Sequence, residues 1–434
     1  MKKHKILTIS ALFTLIILSI ISGSSISAFS GDTFVSVSDG GEGRSVTEWP
    51  VGVTKYVPSK SYKGYTLWCS LAGTGTVNLM DMKGNIVHTW TNSNAPGLYG
   101  ELLENGNLLY SGRTLVGYGS PGNHSMSGKG GILIEKDWDN NILVKIKTDS
   151  AHHDQAKLPN GNYIQIVWDP VPKEMEKKIQ GGIPGEEHSD GKIFEELITE
   201  TTPEGEIVWS WRASDYLRPE DYPICPLNDR HEWLHANSLE YLPAGNPITN
   251  TESIMVSLRH PSVCIIFSKA TGEVQWRYGG CMEGEWGLLG GQHDFLMIPE
   301  GLPGYGNIMI FDNGIGLPSV KASGLYWGID HSRVLEINPK TKKVVWSYEH
   351  QDKSWKFPIK TKWLFNSPYI AGAQRLENGN TLICEGGTGR IFEVTSSGEI
   401  AWEFINPDHK AIFRAYRYGP DFEGFKGKDL PGTN

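Results

Sequence analysis

One short phrase recurs along this chain and constrains its fold more than any other feature. The phrase is a polar turn followed by alternating apolar residues, as in "GEIVWSW" from residue 205 and "GEIAWEF" from residue 398. Six copies start at residues 84, 140, 205, 272, 342 and 398, so 56 to 70 residues separate consecutive copies. A turn next to alternating apolar residues is typical of a β-hairpin. The spacing predicts a fold made of repeated β units.

A second phrase precedes most copies of the first. "ELLENGNLLYSG" (residues 101–112) and "QRLENGNTLICEGG" (residues 374–387) each place an Asn-Gly turn between two apolar runs, which predicts another hairpin. Residues 53–70 supply a divergent first copy of this inner hairpin. Four strands repeated six times predict an all-β fold, a six-bladed β-propeller with four antiparallel strands per blade. We assign this domain to residues 51–420 and a tail to residues 421–434.

The N-terminal residues have the pattern of a secretion signal. Three lysines within the first five residues precede a largely apolar stretch over residues 6–21, and residues 28–30 read Ala-Phe-Ser, a small-x-small cleavage site. We expect residues 1–30 to be the signal peptide and residues 31–50 to be a leader. The protein is then exported to the periplasm, the cell surface or the medium, and an uncleaved N-terminal anchor is the alternative.

Charge and cysteine content limit the partners and the chemistry. The formal charge is −9, and cleavage after Ser30 removes three lysines and no carboxylate, which makes it −12. An acidic chain of this kind binds nucleic acid poorly, so we expect no nucleic-acid partner. The five cysteines show no zinc spacing. Export permits one disulfide, and we expect Cys225 to pair with Cys281 because both lie in loop-like sequence, with five buried thiols as the alternative.

Three histidines occupy similar places in consecutive repeats. His153, His235 and His293 lie at the start of the innermost strand in the third, fourth and fifth blades, although His235 aligns only after a two-residue slip. Arg259 ends the second strand of the fourth blade. Because these two strands run antiparallel, the start of the first and the end of the second meet at the same mouth of the channel. We therefore expect the four side chains to share one mouth. Any one of these histidines, taken alone, is more often a structural side chain.

The chemistry of the four side chains favours an anion over a metal ion. Three imidazoles suit zinc or copper. A guanidinium in the same place repels a metal ion and attracts an anion. We therefore expect no metal and no cofactor. The mouth is suited to a phosphate or sulfate ester that is attacked by a neutral histidine.

At these residues the chain resembles the bacterial and archaeal arylsulfate sulfotransferases, which are exported six-bladed propellers. They move a sulfuryl group between phenols without a nucleotide sulfate donor. The resemblance covers about residues 50–420 and is carried by "HHD" (152–154), "EWLHANS" (232–238), "SLRHPSVCIIFSKATGEVQW" (257–276) and "QHDF" (292–295). It implies transfer from a phenolic sulfate to a phenol by a ping-pong mechanism through a sulfohistidine.

The same resemblance implies catalytic roles for individual residues. His293 is then the nucleophile that carries the sulfuryl group. His235, Arg259 and His153 hold the sulfuryl oxygens or move the phenolic proton. Because His152 is adjacent to His153, the role of His153 can belong to either. If His293 must be neutral to attack, the rate is expected to fall below its pKa, which is ordinarily about 6.5.

Other positions are implied to bind substrate, and some depart from the family pattern. Asn237 in "HAN" is a supporting polar group, and Arg414 is a further candidate in the closing segment. Ile370 and Ala371 stand where characterised members have a hydroxyl residue. The departure puts the activity in question rather than the family.

Two other functions stay open at this point. Quinone-dependent dehydrogenases share the "G-E-I-x-W" phrase, but they usually have eight blades, calcium and acidic channel groups. A non-catalytic propeller that serves as a binding or assembly platform tolerates the loss of His293, whereas a transferase does not. For the transferase we expect small phenolic sulfates and phenols as partners. A monomer and a homodimer are both compatible with the sequence.

Overall fold

The computed structural model describes residues 50–71, 73–115, 126–188, 190–226, 228–281, 288–314, 331–349, 351–352, 362–363 and 365–431. The predicted signal peptide lies outside these residues, as does the predicted leader except for its last residue.

Six antiparallel sheets form the blades of a β-propeller, which confirms the predicted fold class. Each blade has four strands, ordered from the channel outward. The strands are, in blade 1, Tyr416–Tyr418, Tyr65–Trp68, Thr76–Met80 and Ile86–Thr91; in blade 2, Pro96–Leu102, Leu108–Arg113, Gly131–Lys136 and Ile142–Lys147; in blade 3, Ala151–Lys157, Tyr163–Pro170, Phe194–Thr201 and Ile207–Arg212; in blade 4, Ala236–Leu242, Ser253–Leu258, Val263–Ser268 and Val274–Gly279; in blade 5, His293–Met297, Ile308–Asp312, Arg333–Asn338 and Lys343–Tyr348; and in blade 6, Gly372–Arg375, Thr381–Glu385, Arg390–Val394 and Ile400–Ile405.

The remaining elements are short. The α-helices are Lys173–Glu176 and Ala213–Tyr216, the 3-10 turns are Pro219–Asp221, Gly386–Thr388 and Glu423–Phe425, and a small hairpin pairs Gln351–Asp352 with Lys362–Trp363. No helix in the described part of the chain is long and apolar enough to cross a bilayer.

Both ends of the described chain take part in closing the ring. The innermost strand of blade 1 is Tyr416–Tyr418, which pairs antiparallel with Tyr65–Trp68. The N-terminal strand Gly52–Tyr56 pairs instead with Ile400–Ile405, as a fifth strand outside blade 6. The prediction that residues 53–70 form the inner hairpin of blade 1 is therefore wrong. The exchange of strands between the two ends joins the first blade to the last and covers the outer edge of blade 6.

The tryptophan of the recurring phrase explains how neighbouring blades are joined. In five blades, an indole Nε1–H of the outermost strand donates to a backbone carbonyl of the next blade at 2.9 to 3.0 Å. The ring closes in the same way, because Trp402 of blade 6 donates to the carbonyl of Met82 in blade 1. Each bond satisfies the polar edge of a large apolar ring where blades meet. The five residues are Trp90, Trp211, Trp276, Trp346 and Trp402.

The segment between strands Tyr163–Pro170 and Phe194–Thr201 of blade 3 packs against the segment that leads into blade 4. Gly181 forms a parallel bridge with Ile224, and Arg230 Nε donates to Glu187 Oε1 at 2.9 Å. These contacts support residues 228–232, which reach the mouth of the channel described next.

Candidate active site

The innermost strands are bulged at the level where the predicted site residues lie. In blade 3 the pairing with the second strand skips residues 153 and 154, and in blade 5 it skips Asp294. A bulge bends a strand and re-aims its side chains. Four non-glycine residues near this level have a left-handed backbone, which is strained and characteristic of functional sites. They are His153, His235, Asp294 and Ile370, with φ between 46° and 52°.

A cavity of about 440 Å³ lies at this mouth of the channel. His153, His235, His293 and Arg259 all line it, so the structure brings the four predicted catalytic residues together. The volume is that of a site for a small molecule. Apolar and aromatic side chains complete part of the wall, which suits an aromatic ring. They are Leu71, Leu98, Met126, Tyr369 and Ile370.

Hydrogen bonds fix the tautomer of His293. Its Nδ1 lies 2.8 Å from Asn313 Oδ1, and Asn313 Nδ2 donates to the carbonyl of Ser367 at 2.7 Å. Because the second bond fixes the amide, Oδ1 faces the imidazole and Nδ1 must carry the proton. Nε2 therefore keeps its lone pair. The backbone N–H of Ile370 is its donor, at 3.3 Å.

The surroundings also keep His293 neutral. Burial and the nearby guanidinium of Arg259 lower the pKa of His293 to about 3, and the bond to Asn313 opposes this shift only in part. The imidazole is therefore uncharged and nucleophilic throughout the neutral range.

The two arginines near the site differ in how fully they are neutralised. Arg259 Nη1 donates to Asn228 Oδ1 at 3.2 Å, and Arg259 makes no ion pair with the described residues. Arg414 is buried and pairs with both Asp154, at 2.8 Å, and Asp294, at 3.2 Å. Arg259 is thus available to a bound anion, whereas Arg414 already has two carboxylate partners.

His152 and His153 interact with each other directly. Their Nδ1 atoms lie 2.8 Å apart, so one of them must donate and the other accept. His152 stacks on Trp168 with ring centroids 4.2 Å apart and is not among the cavity-lining residues. His153 does line the cavity. Burial lowers the pKa of both histidines well below the usual range, and mutual repulsion adds to this for His153.

His235 lies between two other imidazoles and a carboxyl group. Its ring stacks on His260 and meets His153 edge-on, with centroids 4.7 Å apart in both cases. Nδ1 of His235 lies 3.2 Å from Glu232 Oε1. Burial lowers the pKa of His235 well below its usual range, so this ring is also neutral.

Among the described residues, no group of three His, Cys, Asp or Glu side chains is placed to hold a metal ion. The cavity combines neutral imidazoles with the guanidinium of Arg259, which suits an ester that carries a single negative charge.

A comparison with protein families shows the family to which the chain belongs. The arylsulfotransferase (ASST) family model matches residues 52–416, which is most of the chain. The chain belongs to the arylsulfotransferase family. Family and fold together support arylsulfotransferase activity in general.

Some solved structures are similar to this arylsulfotransferase at low sequence identity. A protein of unknown function from Bacteroides caccae is 12% identical, with a TM-score of 0.46 over 82% of this chain and 98% of that chain. A streptogramin B lyase is 8% identical, with a TM-score of 0.42 over 85% and 98%. A virginiamycin B lyase from Staphylococcus aureus is 10% identical, with a TM-score of 0.39 over 81% and 83%. No curated protein matches the chain.

Two residues predicted to bind substrate lie beneath the cavity of the arylsulfotransferase. Asn237 Nδ2 donates to the carbonyl of Gln292 at 2.8 Å, and Arg414 Nη2 donates to the carbonyl of Asn237 at 3.3 Å. Neither residue lines the cavity. Their contacts hold the backbone next to His293 rather than reaching the space in which a substrate fits.

The departure from the family pattern lies in the wall of the cavity. Ile370 lines it and directs its backbone N–H at His293 Nε2, while Ala371 is buried in the core. A main-chain donor is therefore present where other members have a side-chain hydroxyl.

Several residues of the site were not found from the sequence. Asn313 follows the second strand of blade 5 just as Arg259 follows that of blade 4, so the same geometric rule identifies both. His260, which follows Arg259 in the chain, also lines the cavity. Phe413 lies below it, with its ring 6.3 Å from that of His293. No strand pattern signals Glu232 or Phe413.

Proposed function

We propose that the arylsulfotransferase moves a sulfuryl group from a phenolic sulfate ester to a phenol through a covalent intermediate on His293. The observation that carries this proposal is the tautomer of His293. Asn313 holds Nδ1–H, which leaves Nε2 unprotonated on a residue that lines the same cavity as Arg259. A nucleophile held in one tautomer beside a cationic donor is what the first half of such a transfer needs.

The transfer takes place in two steps. Nε2 of His293 attacks the sulfur, the N–S bond forms, and the S–O bond to the phenol breaks with the electron pair leaving on the phenoxide. A second phenol then attacks the sulfur, and the N–S bond breaks to restore the neutral imidazole. The proton that the second phenol loses balances the one that the first phenoxide takes up. Arg259 stabilises the sulfuryl oxygens, where most of the charge lies, by analogy with phosphoryl transfer. Since both steps use the same cavity, the first phenol leaves before the second enters, which gives ping-pong kinetics.

Turnover of 4-nitrophenyl sulfate by the full chain tests this proposal. With phenol as acceptor and without metal or nucleotide, we expect steady release of nitrophenolate. Without phenol, we expect a single burst and a mass increase of one sulfuryl group on the protein. His293→Asn should abolish both. His88→Asn, which changes a histidine packed against Trp90 and Trp138 away from the cavity, should abolish neither.

Two results contradict the proposal in different ways. Release that survives in His293→Asn rules out this nucleophile. Absence of release from a folded wild-type chain favours the binding platform.

Export is a second proposal, supported by the N-terminal sequence. Its test is whether protein recovered outside the cytoplasm begins at Gly31.

A further inference from the structure

Glu232 is a buried carboxyl group that the transfer steps above do not use. Its Oε1 lies 3.2 Å from His235 Nδ1, and that nitrogen has no hydrogen-bond partner among the described residues. Glu232 and His235 are only 2% and 5% exposed, and both line the cavity. A buried imidazole nitrogen without a partner is costly, so the carboxyl group facing it requires a functional explanation.

The carboxyl group is held in place by its other contacts. Oε2 accepts the indole Nε1–H of Trp168 at 2.8 Å. The backbone carbonyl of Glu232 lies 2.8 Å from His260 Nδ1, which donates to it. Trp168 is itself packed against His152. Glu232 is thus fixed with one oxygen directed at His235.

The charge state of the carboxyl group follows from its surroundings. Burial and the neighbouring carboxyl of Glu196 raise the pKa of Glu232 well above its usual range. Burial therefore favours the protonated, uncharged carboxyl group of Glu232 and the neutral imidazole of His235.

We propose that Glu232 and His235 form a proton-handling pair, in which Glu232 is a positioning residue that stores the proton and His235 exchanges it with the phenol. The proposal rests on the sulfuryl transfer proposed above. When the S–O bond breaks, His235 Nε2–H gives its proton to the phenoxide, and Nδ1 takes the proton of Glu232. The products are a neutral phenol and a Glu232 carboxylate bonded to Nδ1–H. In the second half-reaction the acceptor phenol gives its proton to Nε2, and Nδ1 returns one to Glu232.

The other residues predicted to be catalytic are less suited to this role. Nδ1 of His293 is bonded to Asn313, and its Nε2 forms the bond to sulfur. Nδ1 of His153 is shared with His152. Arg259 stays protonated and cannot exchange a proton. An unassisted phenoxide is a poor leaving group, since a phenol like that of tyrosine has a pKa of about 10.

The test compares two donors that differ in how much they need the proton. Phenyl sulfate releases a weakly acidic phenol, whereas 4-nitrophenyl sulfate releases a much stronger acid that leaves readily as an anion. Glu232→Gln keeps the size of the side chain but cannot give up a proton to Nδ1. We expect the first half-reaction to slow by about 100-fold or more with phenyl sulfate and by less than about 10-fold with 4-nitrophenyl sulfate.

A matched control and a second variant keep the result decisive. Glu240→Gln changes a carboxyl group that accepts from Met297 N–H and lines a different cavity, so it should leave the ratio between the donors unchanged. If Glu232→Gln does not fold, as judged by thermal unfolding, His235→Gln should show the same change in ratio. The proposed proton-handling pair is overturned if the rate falls equally with both donors. It is also overturned if either variant keeps the wild-type ratio of the rates with the two donors. Absence of transfer by the wild-type protein overturns the proposed function itself.

Discussion

The properties of the site depend on a few residues whose surroundings change their chemistry. The sequence was sufficient to bring three histidines and Arg259 to one mouth, because strand direction alone fixes where strand ends lie. It was not sufficient to predict which ring nitrogen of His293 is unprotonated. That depends on the amide of Asn313 and on the bond of this amide to Ser367. The sequence also gives no sign of burial strong enough to change a pKa.

The pH dependence of the reaction follows from the lowered pKa of His293. In the transfer proposed above the neutral form attacks, and with a pKa of about 3 that form dominates at every pH above about 4. We therefore expect kcat/KM for 4-nitrophenyl sulfate to stay level from pH 8 to pH 5 and to fall only in stronger acid. This replaces the fall near pH 6.5 expected from the sequence. Steady-state rates across this range provide the measurement.

A substitution of Asn313 provides the control for this profile. Asn313→Asp places a carboxylate against Nδ1, which favours the charged imidazole and raises its pKa. The acidic fall in kcat/KM should then move to higher pH. A wild-type profile that falls near pH 6.5 contradicts the assignment.

At the scale of elements, the bulges in the innermost strands and the loops next to them determine the positions of the site residues. The recurring phrases predict the hairpins well because alternation and turn residues are local signals. The bulges at residues 153–154 and at Asp294 were not predictable, because non-glycine residues in the left-handed region follow from tertiary packing and not from propensity.

One disulfide connects the segment before blade 4 to the segment after it. Cys225 and Cys281 are bonded, with Cα atoms 5.7 Å apart, which confirms the predicted pair; the other three cysteines are free and buried. Cys225 N–H donates to the carbonyl of His260 at 2.9 Å. The disulfide thus anchors the loop that carries Asn228, the partner of Arg259.

Loss of this disulfide should weaken both the fold and donor binding. We expect Cys225→Ala with Cys281→Ala to lower the free energy of unfolding by about 2–4 kcal/mol. KM for the donor should rise more than kcat falls, because Arg259 loses its support. Urea unfolding and steady-state kinetics measure the two effects. A reductant should reproduce them in the wild type and have no effect on the double variant.

At the scale of the whole molecule, the six-bladed ring was predictable because the phrase recurs six times. The way in which the ring closes was not predictable. No local pattern distinguishes a strand that pairs with its neighbours in sequence from one that the other end of the chain supplies. The innermost strand of blade 1 comes from Tyr416–Tyr418, close to the region assigned to the tail. Phe425, within that tail, also packs against Tyr65 with ring centroids 5.3 Å apart.

Truncation at the C-terminus tests this mode of closure. Deleting residues 411–434 removes the innermost strand of blade 1 together with Arg414. We expect this variant to lose its cooperative thermal unfolding, because two blades then face an unfilled place in the ring. Deleting only residues 426–434 should leave cooperative unfolding intact, since the strand and Phe425 remain. Similar melting curves for the two variants show that the strand is dispensable.

Arg414 links closure of the ring to the charge balance of the site. Asp154 and Asp294 adjoin His153 and His293, and both pair with the guanidinium of Arg414. Arg414 lies two residues before Tyr416–Tyr418, the innermost strand of blade 1. One segment therefore both completes the first blade and supplies the counter-charge for two buried carboxyl groups. A ring that opens at this strand also loses the cation beneath its histidines, so damage to the closure and damage to the site cannot be separated.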